Sequence, residues 1–200
     1  LHKIGAVNML AIEEYEKIQR QVEERTERKD TLSKERTSLI ERIEQYEKMK
    51  FEAFMTAFKE IDSNFREIFA RLTSGSGNLV LENEEDPFTG GLTFAVKPRD
   101  KKVHLLSSLS GGEKSLTTLA FIFSIQHYIP APFYAFDEVD MSLDGANVER
   151  IAAMVQELAP SSQFVIVSLR KPMIEAAQRI MGVTIRPDKS TLVTGVKVNG

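Results

Sequence analysis

The chain has 200 residues, of which 42% are apolar and 28% are charged, enough for one globular domain with a core plus an appendage. The net charge of -3 excludes a protein that is basic throughout, and the lack of cysteine excludes a disulfide framework, a thiolate zinc site and a cysteine nucleophile. No run of about 18 apolar residues occurs, so we expect no transmembrane helix. The start, Leu1-His-Lys-Ile, has neither the pattern of a signal peptide nor an initiator methionine. We therefore expect a piece of a longer, cytoplasmic protein.

The first third of the chain is predicted to form one long helix, from residue 9 to about residue 72, because no glycine or proline interrupts it. In its charged first part the apolar residues follow the spacing of a coiled coil: Leu32, Leu39, Ile43 and Tyr46. A helix this polar needs an antiparallel or partner helix to bury that seam. From Phe51 a broader apolar stripe predicts docking on a globular body. The sequence thus divides into a coiled-coil segment, residues 1–50, and a globular part, residues 51–200.

The globular part alternates short apolar runs with helical segments. The predicted strands are residues 78–82, 91–96, 103–106, 133–136, 164–167, 183–185 and 191–198. The predicted helices are residues 116–128, 145–158 and about 172–181. The alternation of strand and helix toward the C-terminus implies an α/β fold with a mostly parallel sheet and flanking helices.

The stretch Leu109-Ser-Gly-Gly-Glu-Lys-Ser115 has the pattern of a loop that turns into a helix. Ser110 and Glu113 have the spacing of a capping box. Gly111 and Gly112 leave the backbone bare where the helix begins, and free N–H groups at a helix start suit a phosphate. An ordinary helix start is the alternative interpretation.

The stretch Phe133-Tyr-Ala-Phe-Asp-Glu138 predicts a buried strand that ends in two carboxylates. In parallel sheets, ligands bind at the carboxyl ends of strands, where Asp137 can hold Mg²⁺ and Glu138 can orient or deprotonate a water. Asp140 and Asp144 follow at once, so four carboxylates lie within eight residues, and we expect a cation or a basic partner nearby. A surface turn is the alternative.

A phosphate-binding P-loop, G-x-x-x-x-G-K-[ST], is missing from the sequence. Lys114-Ser115 follows Glu113 rather than a glycine. The chain therefore carries half the parts of a nucleotide site and could not hold a β-phosphate alone.

Four segments resemble parts of ABC-type ATPases. Leu109–Ser115 resembles their signature motif in the form used by chromosome-organising members, and Phe133–Glu138 resembles the Walker B strand. Val139-Asp-Met-Ser-Leu-Asp144 is similar to the D-loop, and Val167-Ser-Leu-Arg-Lys171 lies where the switch segment belongs.

Two further segments resemble the structural maintenance of chromosomes (SMC) family. The run from Gly5 to Tyr15 is similar to its coiled-coil re-entry, and Asp86-Pro-Phe-Thr-Gly-Gly91 matches its C-terminal lobe. These segments occur in the same order as in the family and span nearly the whole chain. The chain therefore resembles the C-terminal half of an SMC head of a prokaryotic or archaeal kind.

The resemblance implies a role for each segment. Ser110 and Gly112 would contact the γ-phosphate of an ATP held mainly by a second head. The signature residues that bind this ATP would be Ser110, Gly111, Gly112, Glu113 and Lys114. Asp137 would act on Mg²⁺, and Glu138 would be the base that positions water. The D-loop residues would be Asp140, Ser142, Leu143 and Asp144, with Asp144 bridging the two heads. Relatives often carry Thr-His in the switch, whereas this chain has Ser168 and Leu169. A histidine contact to the γ-phosphate is therefore not implied, and Ser168 would substitute for it only in part.

The resemblance also implies a function and partners. With an N-terminal half that carries Walker A, and only on pairing with a second head in a homodimer, the chain would bind and hydrolyse ATP with Mg²⁺. A kleisin-type subunit and DNA would be further partners in chromosome condensation and segregation at the nucleoid, without a membrane.

Three alternatives remain open. The matching half of a double-strand-break repair ATPase shares the architecture, but the re-entry segment and Ser168-Leu169 favour SMC. A transporter ATPase subunit should carry Walker A on the same chain. A non-enzymatic coiled-coil adaptor explains residues 9–50 and leaves the other motifs to chance.

Overall fold

The computed structural model describes residues 9–97, 104–105 and 108–198. The helices are α1 (Met9–Thr73), α2 (Gly111–Tyr128), α3 (Gly145–Leu158) and α4 (Lys171–Glu175). The strands are β1 (Ser76–Leu81), β2 (Leu92–Lys97), β3 (His104–Leu105), β4 (Phe133–Asp137), β5 (Gln163–Val167), β6 (Arg179–Ile185) and β7 (Thr191–Lys197). The contacts between residues divide the chain into two compact units, Leu1–Met55 and Thr56–Gly200.

The first unit contains the polar part of α1, and its single unbroken helix confirms the prediction for this stretch. Every described residue from 10 to 53 is solvent-exposed, including the coiled-coil positions Leu32, Leu39, Ile43 and Tyr46. Within the described residues of this unit, the seam therefore has no helix against it, and its coiled-coil partner stays a prediction. Residues 5–8 of the predicted re-entry segment lie outside the described residues.

In the second unit, the last turns of α1 supply one wall of the core. Phe65, Ile68, Phe69 and Leu72 recur at helical spacing and are buried. The ring of Phe65 lies 5.5 Å from that of Phe69 and 5.6 Å from that of Phe94 on β2. Truncating a phenylalanine so buried costs about 3–5 kcal/mol. The predicted docking of this part of the helix is confirmed.

The remaining core lies between α2, α3 and the strands. Leu116, Leu119, Ala120 and Phe123 of α2 share one cluster with Val148, Ile151, Ala152 and Val155 of α3. Phe136 of β4 joins it, with its ring 6.0 Å from that of Phe123. α2 and α3 are thereby packed together, and the segments that precede them are brought to the same region.

The strands form three sheets: β1-β2-β3 and β6-β7, which are antiparallel, and β4-β5, which is parallel. The α/β class is confirmed, whereas the parallel share is smaller than predicted among the described strands. Short connections fold β1 onto β2 and β6 onto β7, and such hairpins can only be antiparallel. β4 and β5 are joined through α3, and a helical crossover of this kind permits parallel pairing.

The predicted helix over residues 172–181 is wrong in its second half. α4 ends at Glu175, and β6 begins at Arg179, four residues before the strand predicted there. β6 pairs along its whole length with β7, from Arg179 opposite Lys197 to Ile185 opposite Thr191. The backbone pairing with β7 therefore decides the conformation of residues 179–181, although their local sequence pattern is helical. Of the predicted strand at 103–106, only residues 104–105 are described. In the described part of the chain, no helix has the length and apolarity to cross a bilayer.

Candidate functional site

The signature segment Leu109–Ser115 forms the start of α2, as predicted. Ser110 is the N-cap, and the capping box with Glu113 is formed. The Glu113 carboxylate accepts hydrogen bonds from the Ser110 backbone N–H at 3.0 Å and from its hydroxyl at 2.8 Å. Glu113 therefore has a local role in holding the turn, in addition to the ATP contact predicted from the resemblance. Lys114 is exposed at the same helix start.

The two glycines of this segment differ in what surrounds them. Neither has a positive φ, so no backbone conformation demands glycine. A Cβ on Gly112 would lie 2.8 Å from the backbone oxygen of Ser142, so close approach to the D-loop segment accounts for this glycine. A Cβ on Gly111 would meet no atom of the described chain within 4 Å. Nothing within the described fold therefore requires glycine at position 111.

The Walker B strand ends where the sequence predicted, but the prediction that it is buried is wrong, because Phe136 is buried whereas Phe133 and Ala135 are exposed. Asp137 is the last residue of β4, pairs with Val167 of β5 and is exposed. Glu138 follows with φ 50°, a left-handed conformation that costs a residue with a side chain about 1–2 kcal/mol. Its backbone N–H donates to the Val167 carbonyl at 3.0 Å. Both carboxylates thus lie at the carboxyl end of the parallel pair, beside the switch segment, and Glu138 is held in a strained position of the kind that occurs at active sites.

The two remaining carboxylates, Asp140 and Asp144, lie in the D-loop segment, Val139–Asp144, and each has a different partner. Asp140 is only 1% exposed, and its carboxylate accepts a hydrogen bond from the Ser168 hydroxyl. Asp144 caps α3, accepting from the backbone N–H of Asn147 at 2.9 Å and from its side-chain amide at 3.0 Å. Tight turns close the segment, with the Leu143 N–H donating to the Asp140 carbonyl at 3.2 Å.

The cation or basic partner expected near these four carboxylates stays a prediction, and the carboxylates are not all available to it. Two of them, Asp140 and Asp144, are taken up by hydrogen bonds within the fold. No group of three or more histidine, cysteine or acidic residues in the described ranges could hold a metal ion. Asp137 and Glu138 remain exposed at the strand end.

A cavity of about 430 Å³ lies between the start of α2 and the D-loop segment. Its lining includes Ser110, Gly112, Ser142, Leu143 and Asp144, together with Thr73 at the end of α1. The hydroxyls of Ser115 and Ser142 are 3.0 Å apart and join the two segments. The structure thus brings the predicted signature and D-loop residues together at one place.

The switch segment Val167–Lys171 presents its two predicted residues differently. The Ser168 hydroxyl is bound to Asp140, whereas the Leu169 side chain is 88% exposed. Arg170, which sequence reasoning missed, donates from its guanidinium to the Leu143 carbonyl at 3.0 Å. No local pattern could reveal these contacts, because 27 or 28 residues separate the partners.

The end of α1 is fastened to α3, which begins at the D-loop. Arg150 donates to the Leu72 carbonyl at 2.9 Å and to the Asn147 side chain at 3.2 Å. Arg71 and Glu157 form a two-pronged ion pair, and this hydrogen bonding raises the pKa of Arg71 and lowers the pKa of Glu157. Residues of α3 thereby connect the helix end with the neighbourhood of Asp144.

The comparisons with known proteins agree with this arrangement. The family model described as RecF/RecN/SMC N terminal domain matches residues 6–191. A relative named Chromosome partition protein Smc, from Gloeobacter violaceus, is 52% identical over 198 residues, which are 99% of this chain and 17% of the relative. The chain thus spans less than a fifth of that relative's length.

Two solved structures share the fold. The Smc head domain of Pyrococcus furiosus with an extended coiled coil, bound to the C-terminal domain of ScpA, has a TM-score of 0.85 and 44% identity, covering 94% of this chain and 47% of that chain. A structure described under ATP-driven dimerization and DNA stimulated activation of SMC ATPases has a TM-score of 0.67 and 46% identity, covering 74% of this chain and 89% of that chain. The chain therefore belongs to the structural maintenance of chromosomes family and is part of that family's head region.

Proposed function

We propose that this chain is the C-terminal half of an SMC ATPase head, which binds and hydrolyses ATP between two engaged heads. The single observation that carries the proposal is Gly111. It lies exposed at a helix start, and neither a positive φ nor a contact within the described chain accounts for the lack of a side chain. Close approach by a phosphate from outside the chain does account for it, because the bare N–H groups at a helix start bind anions.

The second part of the proposal concerns the chemistry at the end of β4. Mg²⁺ is commonly held by one or two carboxylates together with substrate phosphates, so the exposed Asp137 would be its ligand from this chain. Bound there, Mg²⁺ would supply charge neutralisation for the phosphates. Glu138, one residue further and fixed by its backbone hydrogen bond to Val167, would orient and deprotonate the attacking water.

The third part is that an N-terminal, Walker A half completes the head. One face of the β4-β5 pair is open, with Phe133 62% exposed and Val167 55% exposed. The β6-β7 hairpin likewise exposes Met181, Val183 and Ile185, which share one face. Apolar faces of this kind mark an interface, and the missing P-loop is what such a partner would bring.

The fourth part concerns the larger assembly. A structural neighbour is described by ATP-driven dimerization, and another is bound to ScpA. We accordingly assign to this chain a second, identical head, a kleisin-type subunit and DNA as partners. The assembly would use ATP to organise DNA in chromosome condensation and segregation, at the nucleoid in the cytoplasm and away from membranes. In this assembly Ser110, Gly111, Gly112, Glu113 and Lys114 would contact ATP held by the opposite head.

The test combines this chain with the N-terminal half of its own head. The chain alone should hydrolyse no ATP, whereas the combined head should bind ATP and dimerise with it. Ser110→Arg should abolish dimerisation and leave ATP binding to the single head intact, because the side chain fills the space of a phosphate that arrives from the other head. Ser110→Ala is the matched control for the cap, which is worth about 1 kcal/mol of stability.

The proposal fails if the chain alone turns over ATP at the rate of the combined head. It also fails if Ser110→Arg dimerises normally, or if it weakens ATP binding and dimerisation equally.

A further inference from the structure

Asp140 is an unusual residue for the interior of the molecule. It is 1% exposed, and its Oδ1 has no hydrogen-bond partner among the described residues. Its Oδ2 accepts from the hydroxyl of Ser168. A carboxylate removed from water is costly unless it is hydrogen-bonded, so the Ser168 hydroxyl is the described group on which this side chain depends.

The single proton of the Ser168 hydroxyl is already used in this arrangement. The hydroxyl donates this proton to Asp140, and its oxygen accepts from the Arg170 backbone N–H at 2.9 Å. While this bond is made, the hydroxyl cannot donate to a phosphate. Leu169, the neighbouring residue, has no polar atom on its side chain. The Ser168 hydroxyl therefore donates its proton to the D-loop residue Asp140.

A second bond from the same segment reaches the same loop. The Arg170 guanidinium donates to the carbonyl of Leu143, whose side chain is buried. Asp140 and Leu143 are themselves joined by a turn hydrogen bond of 3.2 Å. The switch segment thus holds the D-loop at both ends of this turn. From the other side, the hydroxyl of Ser115 on α2 meets that of Ser142.

We propose that Ser168 and Arg170 are positioning residues that fix the D-loop, so that the switch segment acts on the reaction through Asp140 and Leu143. The proposal rests on the proposed function, since the D-loop has a reaction to serve only in an ATPase head. In this chain, the coupling of Ser168 and Arg170 to the D-loop would take the place of a histidine contact. Ser168 then influences turnover and head engagement through the placement of the loop, and it leaves the affinity for ATP unchanged.

The experiment uses the combined head and an isosteric pair. Ser168→Thr keeps the hydroxyl, and Ser168→Val has the same shape without it. We expect Ser168→Val to lower kcat and the association constant of ATP-dependent dimerisation about tenfold or more, because a hydrogen bond to a buried carboxyl group is lost. The KM for ATP should change less than about twofold, and Ser168→Thr should behave as wild type. A rise in KM with kcat preserved would overturn the proposal.

A double-mutant cycle tests the route of the effect. If Ser168 acts through Asp140, Ser168→Val in an Asp140→Ala background should produce no further loss of kcat. If the losses of kcat from Ser168→Val and Asp140→Ala multiply in the double variant, Ser168 acts through another group, and the proposal is overturned. Ser190→Ala is the matched control, since it removes another hydroxyl bond to a carboxylate, from Ser190 to Asp188 at 2.6 Å in the exposed β6-β7 turn. This control should leave kcat unchanged.

Hydrogen exchange without nucleotide separates this proposal from the proposed function. In Ser168→Val the amides of Met141 and Leu143 should exchange about tenfold faster than in wild type, and in Ser168→Thr at the wild-type rate. Wild-type heads that fail to hydrolyse ATP would refute the proposed function and leave this measurement valid. Unchanged exchange in Ser168→Val would refute the tether even in an active ATPase.

Discussion

The two glycines that open α2 are expected to respond oppositely to the same substitution. Gly112→Ala places a Cβ 2.8 Å from the Ser142 carbonyl oxygen, and a backbone obstacle cannot rotate away. Overpacking of this kind costs about 1–3 kcal/mol. Gly111→Ala meets no described atom within 4 Å, so it costs no packing, and alanine adds up to about 1 kcal/mol of helix propensity in place of glycine.

Two assays on this pair test the reasoning. In chemical denaturation of the chain, Gly112→Ala should lose about 1–3 kcal/mol of unfolding free energy, and Gly111→Ala should equal or exceed wild type. In ATP-dependent dimerisation of the combined head, Gly111→Ala should be weakened, because its methyl group would occupy the path proposed for the phosphate. Normal dimerisation of Gly111→Ala would remove the support for a ligand at this helix start. A stability loss equal to that of Gly112→Ala would contradict the packing described for the two positions.

Three further perturbations have definite expected outcomes. Glu138→Gln should retain ATP and trap two heads together, because it removes the proposed base and keeps the size of the side chain; light scattering that shows monomers at saturating ATP would count against it. Asp144→Ala should lower the unfolding free energy by about 1 kcal/mol in urea denaturation, because the cap of α3 is lost, and an unchanged midpoint would contradict that role. The Arg71 guanidinium holds the pKa of Glu157 below its ordinary value of 4.5, so the contribution of this pair is complete above about pH 4.5 and is lost as the pH falls through the lowered pKa. Both side chains are about half exposed, so screening limits the pair to under about 1 kcal/mol, and Arg71→Gln should remove this part of the acid dependence of thermal stability; an identical pH profile in the variant would refute the assignment.

Structural features that depend only on residues close together in the chain were predictable from the sequence. The Ser110–Glu113 capping box needs only a spacing of three, and the structure forms it. The placement of Asp137 at the end of β4 likewise follows from an apolar run that stops at a carboxylate. Such patterns specify local geometry because the interacting atoms are close along the chain.

Features decided by distant residues were not predictable. Residues 176–178 continue a helical pattern, yet the pairing of Arg179 with Lys197 ends the helix early, because a full ladder satisfies more backbone groups. The burial of Asp140 depends in the same way on Ser168, which lies 28 residues later. Sequence reasoning therefore grouped Asp140 with Asp137 and Glu138, although the turn between them sends its side chain to the interior.

The left-handed backbone at Glu138 has a consequence for how this position can change over generations. That conformation favours glycine and asparagine, whereas water activation needs a carboxylate on a longer arm. Mutation toward the residues that the backbone prefers would relieve strain and, if Glu138 has the role proposed above, would stop hydrolysis as well. Defective alleles at this codon would therefore encode a protein that is at least as stable as the parent. Under the proposed function, such a protein would still bind ATP and pair with normal copies, but it would not hydrolyse the nucleotide.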